Sequence, residues 1–523
     1  MATVPSAKDS LRRTVTPWGS YSWGYADVGA DIFVALGLVF GAAAGASNVA
    51  FLFAGLVYVC VGLAYTELAA AYPVAGGGQY FVMRGLGDLF GFLAGWAVLL
   101  DFTIDIALFA WGCVGYLSQL IPAVSATSHP IPHFVLILAL IVALGALNVV
   151  GVRESTAFNG LVSALDVISE TSILCFGFLF AFHAELLVHS MHVAWPTTFQ
   201  LMNGISLAII SFVGLESISQ AAEETHRPSN IVPRTSIALI LTILIFALAY
   251  SNLALGMQPS GFWQTLGTAE HADKAVAIIA RNIPLFGYLA ALYVPVLGAV
   301  LLLISSNSGV FGSSRIAYSM SQSGLLPSLF RTIHPKYRTP SVSILTFTGL
   351  AIVVLGLAAL QGDNGFNFLG DLYAFGAAAS YTLVFVALIS LRLNDPQTPR
   401  KFKIPLNVNV RYAGRNVSFP IVGVLGFCGI FSILLFVLLT HPIGRIAGPA
   451  WLLAGLAGYL VYRKRKARPL LHSMQRDWYK EQTAIFIAAG ELELLDEYRA
   501  NCQQDASPAL GAAREVNLHR RGV

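Results

Sequence analysis

The sequence predicts an all-α integral membrane protein with twelve transmembrane helices. Of its 523 residues, 56% are hydrophobic and only 11% are charged, whereas soluble domains usually carry about 25% charged residues. The mean hydropathy is +0.70. Apolar runs of about 20 residues, the length that a helix needs to cross the hydrocarbon core, recur along the chain. These observations exclude a soluble globular domain.

The apolar runs define the predicted spans, and the basic residues test them. With the N-terminus inside, 28 of the 31 lysines and arginines fall on the cytoplasmic side, and only Lys274, Arg281 and Arg445 fall outside. This asymmetry predicts a multi-pass protein of the plasma (cell inner) membrane with both termini cytoplasmic. It also explains the net charge of +4 without nucleic acid as a partner. The predicted spans cover residues 24–43, 48–70, 89–119, 133–150, 160–182, 203–224, 231–256, 290–314, 341–359, 368–391, 417–440 and 446–462.

The spans contain acidic residues and no lysine or arginine well inside them. An ionised carboxylate in hydrocarbon is costly, so such groups face a bundle interior or a water-filled cavity. Three pairs are spaced i, i+4, which places both carboxylates on one helix face, where they cannot both ionise cheaply. The set favours a proton or cation path, although Asp31, Glu170 and Asp371 could each cap a helix end. The acidic residues are Asp27, Asp31, Asp101, Asp105, Asp166, Glu170, Glu216 and Asp371.

Glycines interrupt the first and the sixth spans. Span 1 contains Gly24, Gly29 and Gly37, and span 6 contains Gly214 two positions before Glu216. Glycine-interrupted segments at matching places in two halves of a membrane protein indicate an inverted-repeat transporter, whose site lies at the helix breaks. Close packing of helices at small residues is the alternative interpretation.

Three motifs resemble a known family. They are "ELAAAYPVAGGGQYFVMRGLGDLFGFLAGW" (67–96), "SFVGLESISQAAEETHRPSNIVPR" (211–234) and "RIAYSMSQSGLLP" (315–327). In order and spacing they resemble the span 2 exit, the broken span 6 and the span 8 exit of the amino acid–polyamine–organocation (APC) transporter superfamily. The resemblance implies a LeuT-like fold of twelve helices with a five-plus-five inverted repeat, broken helices 1 and 6, alternating access and no soluble cofactor.

The resemblance also divides the chain into regions. We expect a cytoplasmic N-terminal tail (1–23), a transport core (24–391) built from repeats at about 24–182 and 203–391, a basic cytoplasmic loop (392–416), helices 11 and 12 (417–462) and a cytoplasmic C-terminal tail (463–523). Within the tail, residues 481–500 are expected to form a short amphipathic helix on the cytoplasmic face.

The chain departs from the family pattern at the first break. Amino-acid transporters of the superfamily typically have Gly-x-Gly-Ile-Phe there, with exposed backbone N–H groups that receive the substrate carboxylate. This chain reads Gly29-Ala30-Asp31-Ile32-Phe33. A carboxylate at the second glycine position would compete for those N–H groups and repel an incoming anion.

One further departure and one partial similarity concern the coupling ion. Asp166 stands where some proton-coupled members carry a lysine. Asp27, Asp101 and Tyr373 are similar to residues of the superfamily's potassium importers, whose oxygens could replace a hydration shell. That match is partial, because Val34 and Asp105 differ from those importers.

The residues and the resemblance together predict two sets of site residues. Phe212 could equally fill the core, and the two serines could equally bond to the preceding turn. No metal site is expected, because the histidines at 183, 189 and 192 lack the spacing of a structural zinc site. The substrate is predicted to contact Gly29, Ala30, Asp31, Asp101, Phe212, Gly214, Glu216 and Tyr373, and the coupling proton or alkali cation Asp27, Asp105, Asp166, Ser305 and Ser306.

The sequence thus predicts a secondary active transporter, and not an enzyme, that imports an amino acid or related amine coupled to protons or an alkali cation. Its partners would be a small cationic or zwitterionic solute, that ion and the lipid bilayer. A proton-coupled potassium importer of the same fold is one alternative, and a transporter-like nutrient sensor that signals through its C-terminal tail is another. No nucleophile–base pair that would indicate a membrane enzyme is recognised in the sequence.

Overall fold

The structure, a computed structural model, describes most of the chain and is almost entirely helical. The described residues are 16–74, 76–151, 156–214, 217, 219, 222, 225, 227–412, 414–470 and 472–503. The helices are α1 Pro17–Ala43, α2 Ser47–Ala71, α3 Gly77–Leu86, α4 Asp88–Leu117, α5 Pro130–Val150, α6 Thr156–Phe180, α7 Ala184–Val193, α8 Thr198–Ala208, α9 Pro228–Leu255, α10 Phe262–Leu266, α11 Ala275–Arg281, α12 Gly287–Gln322, α13 Ser341–Ala359, α14 Gly365–Asn394, α15 Ile421–Thr440, α16 Gly444–Arg465, α17 Trp478–Ala489 and α18 at 492–503.

The long helices coincide with the predicted spans. Within the described residues, nine helical stretches are long and apolar enough to cross a membrane, and the first of them, Pro17–Ala71, contains both α1 and α2. The sixth predicted span falls on α8 and the 3-10 turn after it, a shorter apolar segment. The twelfth falls on α16, which carries basic residues at 445 and 463–465. The positions are compatible with twelve crossings.

The first helix differs from the prediction in two ways. It begins at Pro17 rather than at residue 24, because Thr16 Oγ1 accepts a hydrogen bond from the Gly19 N–H at 3.1 Å and proline suits the first helical position. It is also continuous to Ala43, so the predicted break at Gly29–Asp31 is absent. With one glycine instead of two, the backbone keeps the right-handed helix that residues with a Cβ prefer.

The sixth span is interrupted, as predicted. α8 continues into a 3-10 turn, Ile209–Phe212, and Val213 is extended with φ −86° and ψ 162°. Gly214 follows with φ +102°, a conformation that favours glycine. The described chain therefore leaves the helix at this point, near the middle of the membrane bundle.

A β-hairpin, which the all-α prediction did not include, covers the end of the predicted basic loop and the first residues of the predicted span 417–440, so that helix begins at Ile421 instead of residue 417. β1 (Asn407–Tyr412) pairs antiparallel with β2 (Arg415–Pro420), from Asn407 opposite Pro420 to Tyr412 opposite Arg415. The turn contains Gly414 with φ +79°. β1 is exposed along its length, so it lacks the buried alternate face by which strands are usually recognised.

The core of the bundle is formed around α1 and α4. α4 packs against α12 and α14, and α1 packs against α6, α8, α9 and the 3-10 turn after α8. Both central helices are buried along most of their length. α5, α13 and α15 instead expose leucine and valine side chains, as lipid-facing helices do. The site therefore has to lie between α1, α4 and their neighbours.

The C-terminal tail forms two helices where one was predicted. Gly490 (φ +70°) ends α17 in a left-handed C-cap, and α18 follows. Both helices lie on the end of the bundle that carries the start of α9 and the ends of α2 and α14, through contacts that include Glu491 with Ser229 and Asn501 with Gln397. We call this end the basic face and the other end the opposite face.

Candidate substrate and cation sites

A tyrosine hydroxyl inside the bundle lies within electrostatic range of four carboxylates. Tyr373 of α14 is only 3% exposed, and its ring lies edge-on to Phe109 of α4. The charges that act on its hydroxyl come from two carboxylates on α1 and two on α4. All are buried. The structure thus brings five predicted site residues together, Tyr373 and the carboxylate cluster of Asp27, Asp31, Asp101 and Asp105.

The helices that carry these residues hold little positive charge. α1 and α4 contain no lysine or arginine, and α14 contains only Arg392, which binds Glu67 near the basic face. Carboxylates that share a buried site cannot all ionise cheaply, because each charge raises the cost of the next. The carboxylate cluster is therefore suited to a bound cation, to protons, or to both.

The interrupted segment after α8 meets α1 at Asp27. Ser217 donates a hydrogen bond from its Oγ to Asp27 Oδ2, and the Gly214 N–H donates to the Tyr381 hydroxyl at 3.3 Å. A Cβ at position 214 would lie 3.0 Å from Asp27 Oδ2, so the close approach and the positive φ both call for glycine. Ser305 of α12 donates to the Asp27 carbonyl at 3.5 Å. Asp27 therefore links three elements.

Two glycines make room for the α4 carboxylates. A Cβ at Gly309 of α12 would lie 2.8 Å from Asp105 Oδ2, and a Cβ at Gly376 of α14 would lie 3.2 Å from the Asp101 Cβ. Larger residues at these positions would press on the acidic side chains. The sequence does not mark either glycine, because only the packing of the helices shows which carboxylate lies beside it.

Asp166 lies in a second acidic site, on α6. The Tyr25 hydroxyl lies 2.9 Å from Asp166 Oδ2 and 3.0 Å from Glu170 Oε2. Because Tyr25 and Asp27 are two positions apart on α1, their side chains leave the helix on nearly opposite sides. We call Asp166 and Glu170 the acid pair. Tyr25 was missed by sequence reasoning, although its place beside Asp27 in an apolar helix was visible.

The predicted residues in the middle of α1 lie in regular helix. Gly29 is buried, and a Cβ there would lie 2.8 Å from the Tyr25 ring, so this glycine provides space for Tyr25. Ala30 and Asp31 are also buried. Because the helix is continuous, the backbone N–H groups at 29–31 are used in helical hydrogen bonds.

Three other predicted residues have different surroundings. Phe212 stacks on Tyr58 of α2 with ring centroids 4.8 Å apart, and Ser306 donates to the Ile106 carbonyl of α4 at 2.9 Å. These are packing contacts, and a role in binding stays a prediction for both residues. Glu216 lies outside the described residues.

Ser206, His441 and Asp371 lie in a row near the opposite face, with a hydrogen bond between Ser206 and His441 and a close contact between His441 and Asp371. The Ser206 Oγ is 2.7 Å from His441 Nε2, and His441 Nδ1 is 2.7 Å from Asp371 Oδ1. The sequence analysis recognised no such pair, because Ser206 and His441 are 235 positions apart. Both are buried, and the Ser206 hydroxyl is also hydrogen bonded to the Asn203 carbonyl at 2.7 Å. These contacts connect α8, α14 and the end of α15.

A loop covers the opposite end of α1 and α4. Ala272 packs its backbone against Gly37 of α1, and the Asp273 carboxylate packs against Gly115 of α4. Burial raises the pKa of Asp273 to about 6, although the neighbouring Lys274 charge and a hydrogen bond from Trp111 favour the ionised form. This carboxyl group therefore lies buried in a loop outside the membrane helices.

A membrane bundle whose interrupted helix meets buried carboxylates is the architecture of a secondary transporter. The chain belongs to the amino acid permease family, whose family model matches residues 20–462. It is thereby a member of the APC superfamily, which confirms the resemblance carried by the three motifs. The family consists of transporters rather than enzymes.

Curated relatives have several different cargoes. The chain is 25% identical to the branched-chain amino acid permease BcaP of Bacillus subtilis, over 90% of this chain and 97% of BcaP. It is 25% identical to the methylthioribose transporter of Bacillus subtilis, over 77% of this chain and 86% of the relative. It is 24% identical to the low-affinity putrescine importer PlaP of Escherichia coli, over 74% of this chain and 83% of PlaP.

Among solved structures, the chain superposes on the manganese transporter of Eremococcus coleocola with a TM-score of 0.47 and 14% identity, over 89% of this chain and 98% of that chain. A likeness at this level carries no argument about cargo.

Proposed function

We propose that this protein imports a small organic amine, such as a diamine or a basic amino acid, together with protons. The observation that carries the proposal is that four buried carboxylates of α1 and α4 all lie close enough to Tyr373 to act electrostatically on its hydroxyl. A positively charged ammonium group would offset their mutual repulsion, and carboxylate and hydroxyl oxygens are its natural hydrogen-bond acceptors.

The state of α1 favours an amine over a carboxylate as the recognised group. Backbone N–H groups at 29–31 are used within the helix, so they do not offer the usual receptor for an anion. Asp31 lies at the same level and would repel an incoming carboxylate. A basic amino acid would then be held mainly by its side-chain ammonium, and a diamine by either end.

The named cargoes of the relatives are compatible with this chemistry. Two relatives carry amine-bearing solutes by name, a branched-chain amino acid and putrescine. The three names together do not favour a single cargo, so the preference for a cation rests on the carboxylate cluster.

The orientation follows from the charge asymmetry of the sequence. The basic face carries most of the lysines and arginines, and we assign it to the cytoplasmic side of the plasma (cell inner) membrane. Both termini then lie inside. Proton-coupled uptake would proceed from the opposite face to the basic face, with the carboxylate cluster occupied by cargo or protons during the crossing.

Uptake into proteoliposomes with an imposed inward proton gradient tests the proposal. Labelled putrescine and lysine are expected to accumulate, and leucine and methylthioribose much less. Asp27→Asn should abolish accumulation, and the matched control Asp363→Asn, at an exposed aspartate in the loop before α14, should not. Accumulation of leucine in preference to both cations would overturn the cationic assignment.

A potassium importer is the second candidate, favoured by the carboxylates of Asp27 and Asp101 beside the Tyr373 hydroxyl. Oxygens of this kind can replace part of an ion's hydration shell. Rubidium, as a potassium tracer, is therefore included in the same vesicles. Rubidium uptake that is lost in Asp27→Asn, without uptake of putrescine or lysine, would make potassium the cargo.

A further inference from the structure

The acid pair lies on the inward side of a helix at the edge of the bundle. α6 exposes Leu161, Leu165 and Ile168 on its outer face. Asp166 and Glu170 are 0% exposed and are four positions apart, so both side chains lie on the same face, directed at Tyr25 of α1. Because the two acids face inward and the apolar residues face outward, any role of the acids lies inside the bundle.

Counting protons defines the state of the acid pair. The Tyr25 hydroxyl has one proton and lies within 3.0 Å of an oxygen from each carboxyl group. It can donate that proton to only one of them. The other contact is favourable only if that carboxyl group is itself protonated and donates to the Tyr25 oxygen. Two protons shared among the three oxygens would make both contacts favourable, so the geometry favours a pair that holds one proton.

The groups that face the acid pair do not replace this proton. The titratable side chains around it are Tyr21 and Tyr25 of α1, Tyr116 of α4, Tyr250 of α9 and Tyr293 of α12. α6 itself contains no lysine, arginine or histidine. Among the described residues, the second oxygens, Asp166 Oδ1 and Glu170 Oε1, have no hydrogen-bond partner. Both of these atoms can hold a proton without breaking another contact.

Aromatic side chains of α1 lie between the acid pair and the basic face. The rings of Trp18, Tyr21 and Tyr25 stack along α1 with centroids 5.5 and 5.8 Å apart, and the Tyr21 hydroxyl donates to Thr242 of α9 at 3.2 Å. Trp18, Tyr21, Thr242 and Arg234 line a cleft of about 500 Å³ between α1 and α9. Water in this cleft would reach the hydroxyl of Tyr21, which lies one helical turn before Tyr25.

We propose that the acid pair, with Tyr25, is the site that binds the transported proton, and that the cleft beside Trp18 is where this proton leaves. The inference rests on the proposed proton coupling and deepens it by naming the residues. The cargo amine and the proton then occupy two sites on opposite sides of α1, the carboxylate cluster and the acid pair. Movement of α1 would change both sites together.

The first test does not depend on the cargo. Infrared spectroscopy of the full-length protein in detergent measures the carbonyl band of protonated carboxyl groups. At neutral pH we expect Asp166→Asn and Glu170→Gln each to lower this band by the same amount, and the double variant to lower it no further, because the pair holds one proton. The exposed control Glu185→Gln should leave the band unchanged. An unchanged band in both single variants would overturn the proposal.

The second test separates the proton site from the cargo site. Glu170→Gln should still exchange labelled putrescine or lysine across vesicles without a gradient, but should lose accumulation driven by a proton gradient. Tyr25→Phe is expected to weaken that coupling less. Gradient-driven accumulation at the wild-type level in Glu170→Gln would overturn the inference and leave the proposed cargo intact. Failure of the wild-type protein to exchange either amine, with the infrared result as expected, would instead overturn the cargo.

Discussion

The protein buries two kinds of carboxylate, and they differ in what neutralises them. At the basic face, Glu67, Asp88 and Asp395 each contact at least one arginine. In the middle of the bundle, Asp27 accepts from a serine, and Asp166 accepts from a tyrosine. An arginine is a permanent charge, whereas a hydroxyl leaves the net charge of the site to be set by protons or cargo.

Glu67 is the most completely paired of these groups. Arg392 donates to its two oxygens at 2.5 and 2.6 Å, and Arg400 Nε lies 3.4 Å away. The Ile404 N–H donates to it at 2.9 Å. Glu67 is fully buried. These contacts fix the end of α2 to the end of α14 and to the segment that follows it.

Asp88 connects the C-terminal tail to the start of α4. Arg463 donates to it with both terminal nitrogens at 3.1 and 3.2 Å, the Met474 N–H donates at 3.0 Å, and Arg476 also contacts it. Its negative charge lies in the first turn of α4, where the helix dipole stabilises it. The described part of the tail, up to residue 503, is therefore packed on the basic face.

Asp395 shows the electrostatic result of arginine pairing. Burial alone would raise the pKa of this carboxyl group, but Arg84 and Arg400, with hydrogen bonds from Thr398 and Tyr72, lower it below its ordinary value. A carboxylate with a lowered pKa stays ionised through the physiological range. Arginines thus fix the charge at the basic face, whereas under the proposed function we expect the charge in the bundle to change as protons or cargo bind.

The largest effect on folding is expected at Arg392. Arg392→Gln leaves the buried Glu67 with one arginine, and breaking a buried ion pair costs about 3–5 kcal/mol. Thermal unfolding in detergent should show a clear loss of stability, whereas the exposed Arg411→Gln of β1 should show none. Equal stability of the two variants would mean that Glu67 is not held as the comparison requires.

A carboxylate of the cluster should show the reverse pattern. Asp101→Asn removes a charge that would bind the cargo, at about 2–5 kcal/mol, so uptake is expected to fall roughly 30-fold or more. The folded state loses a repulsive charge, so unfolding should occur at the same or a higher temperature. A variant that unfolds at a lower temperature but transports normally would show that Asp101 stabilises the fold, as the arginine-paired carboxylates do.

Asp273, in the loop at the opposite face, is a buried carboxyl group whose effect should appear in the pH dependence of thermal unfolding. Its folded pKa is raised from 3.8 to about 6 by burial, so the stability that this group contributes is present below pH 4 and is lost as pH rises through about 6. The difference is at most about 3 kcal/mol. Asp273→Asn should flatten the pH dependence of thermal unfolding across this range. An unchanged slope in the variant would assign the dependence to another group.

The smallest effect is expected at Glu491 in the tail. Its carboxylate accepts from the Ser229 N–H at 3.1 Å and from the Ser229 hydroxyl at 2.5 Å, at the first turn of α9. Glu491→Gln should cost about 1 kcal/mol and make the tail more accessible in limited proteolysis, with little change in uptake. Unchanged proteolysis of the tail in Glu491→Gln would contradict this role of the carboxylate, and unchanged uptake after deletion of residues 470–523 would count against a nutrient sensor that depends on the tail.

The sequence predicted the helical bundle well, because membrane spans are set by length and apolarity. It placed the break after Phe212 correctly, since a glycine with positive φ marks it. It failed at α1, where glycines suggested a break, but Gly29 only accommodates the Tyr25 ring and Gly37 the backbone of Ala272. A glycine that makes room for a neighbour and one that permits unwinding look alike without the neighbour.

The sequence did not show which site residues lie together, because that depends on the fold. The acidic residues were evident from charge, yet their division between the carboxylate cluster and the acid pair follows from which side of α1 each one faces. Ser217 and Tyr381 carried no signal, and Tyr25 only its place beside Asp27, because a hydroxyl in a membrane helix is common and its partner lies far along the chain. The β-hairpin and the Ser206–His441 contact depend likewise on residues that are distant or exposed.

Equilibrium binding to the purified protein tests most directly whether the carboxylate cluster recognises positive charge. Displacement of labelled lysine is measured with putrescine and with butanediol, which has the same carbon chain without the ammonium groups. The account predicts that putrescine displaces lysine, that butanediol does not, and that Asp27→Asn binds neither amine. Equal displacement by butanediol, or undiminished lysine binding in Asp27→Asn, would contradict it.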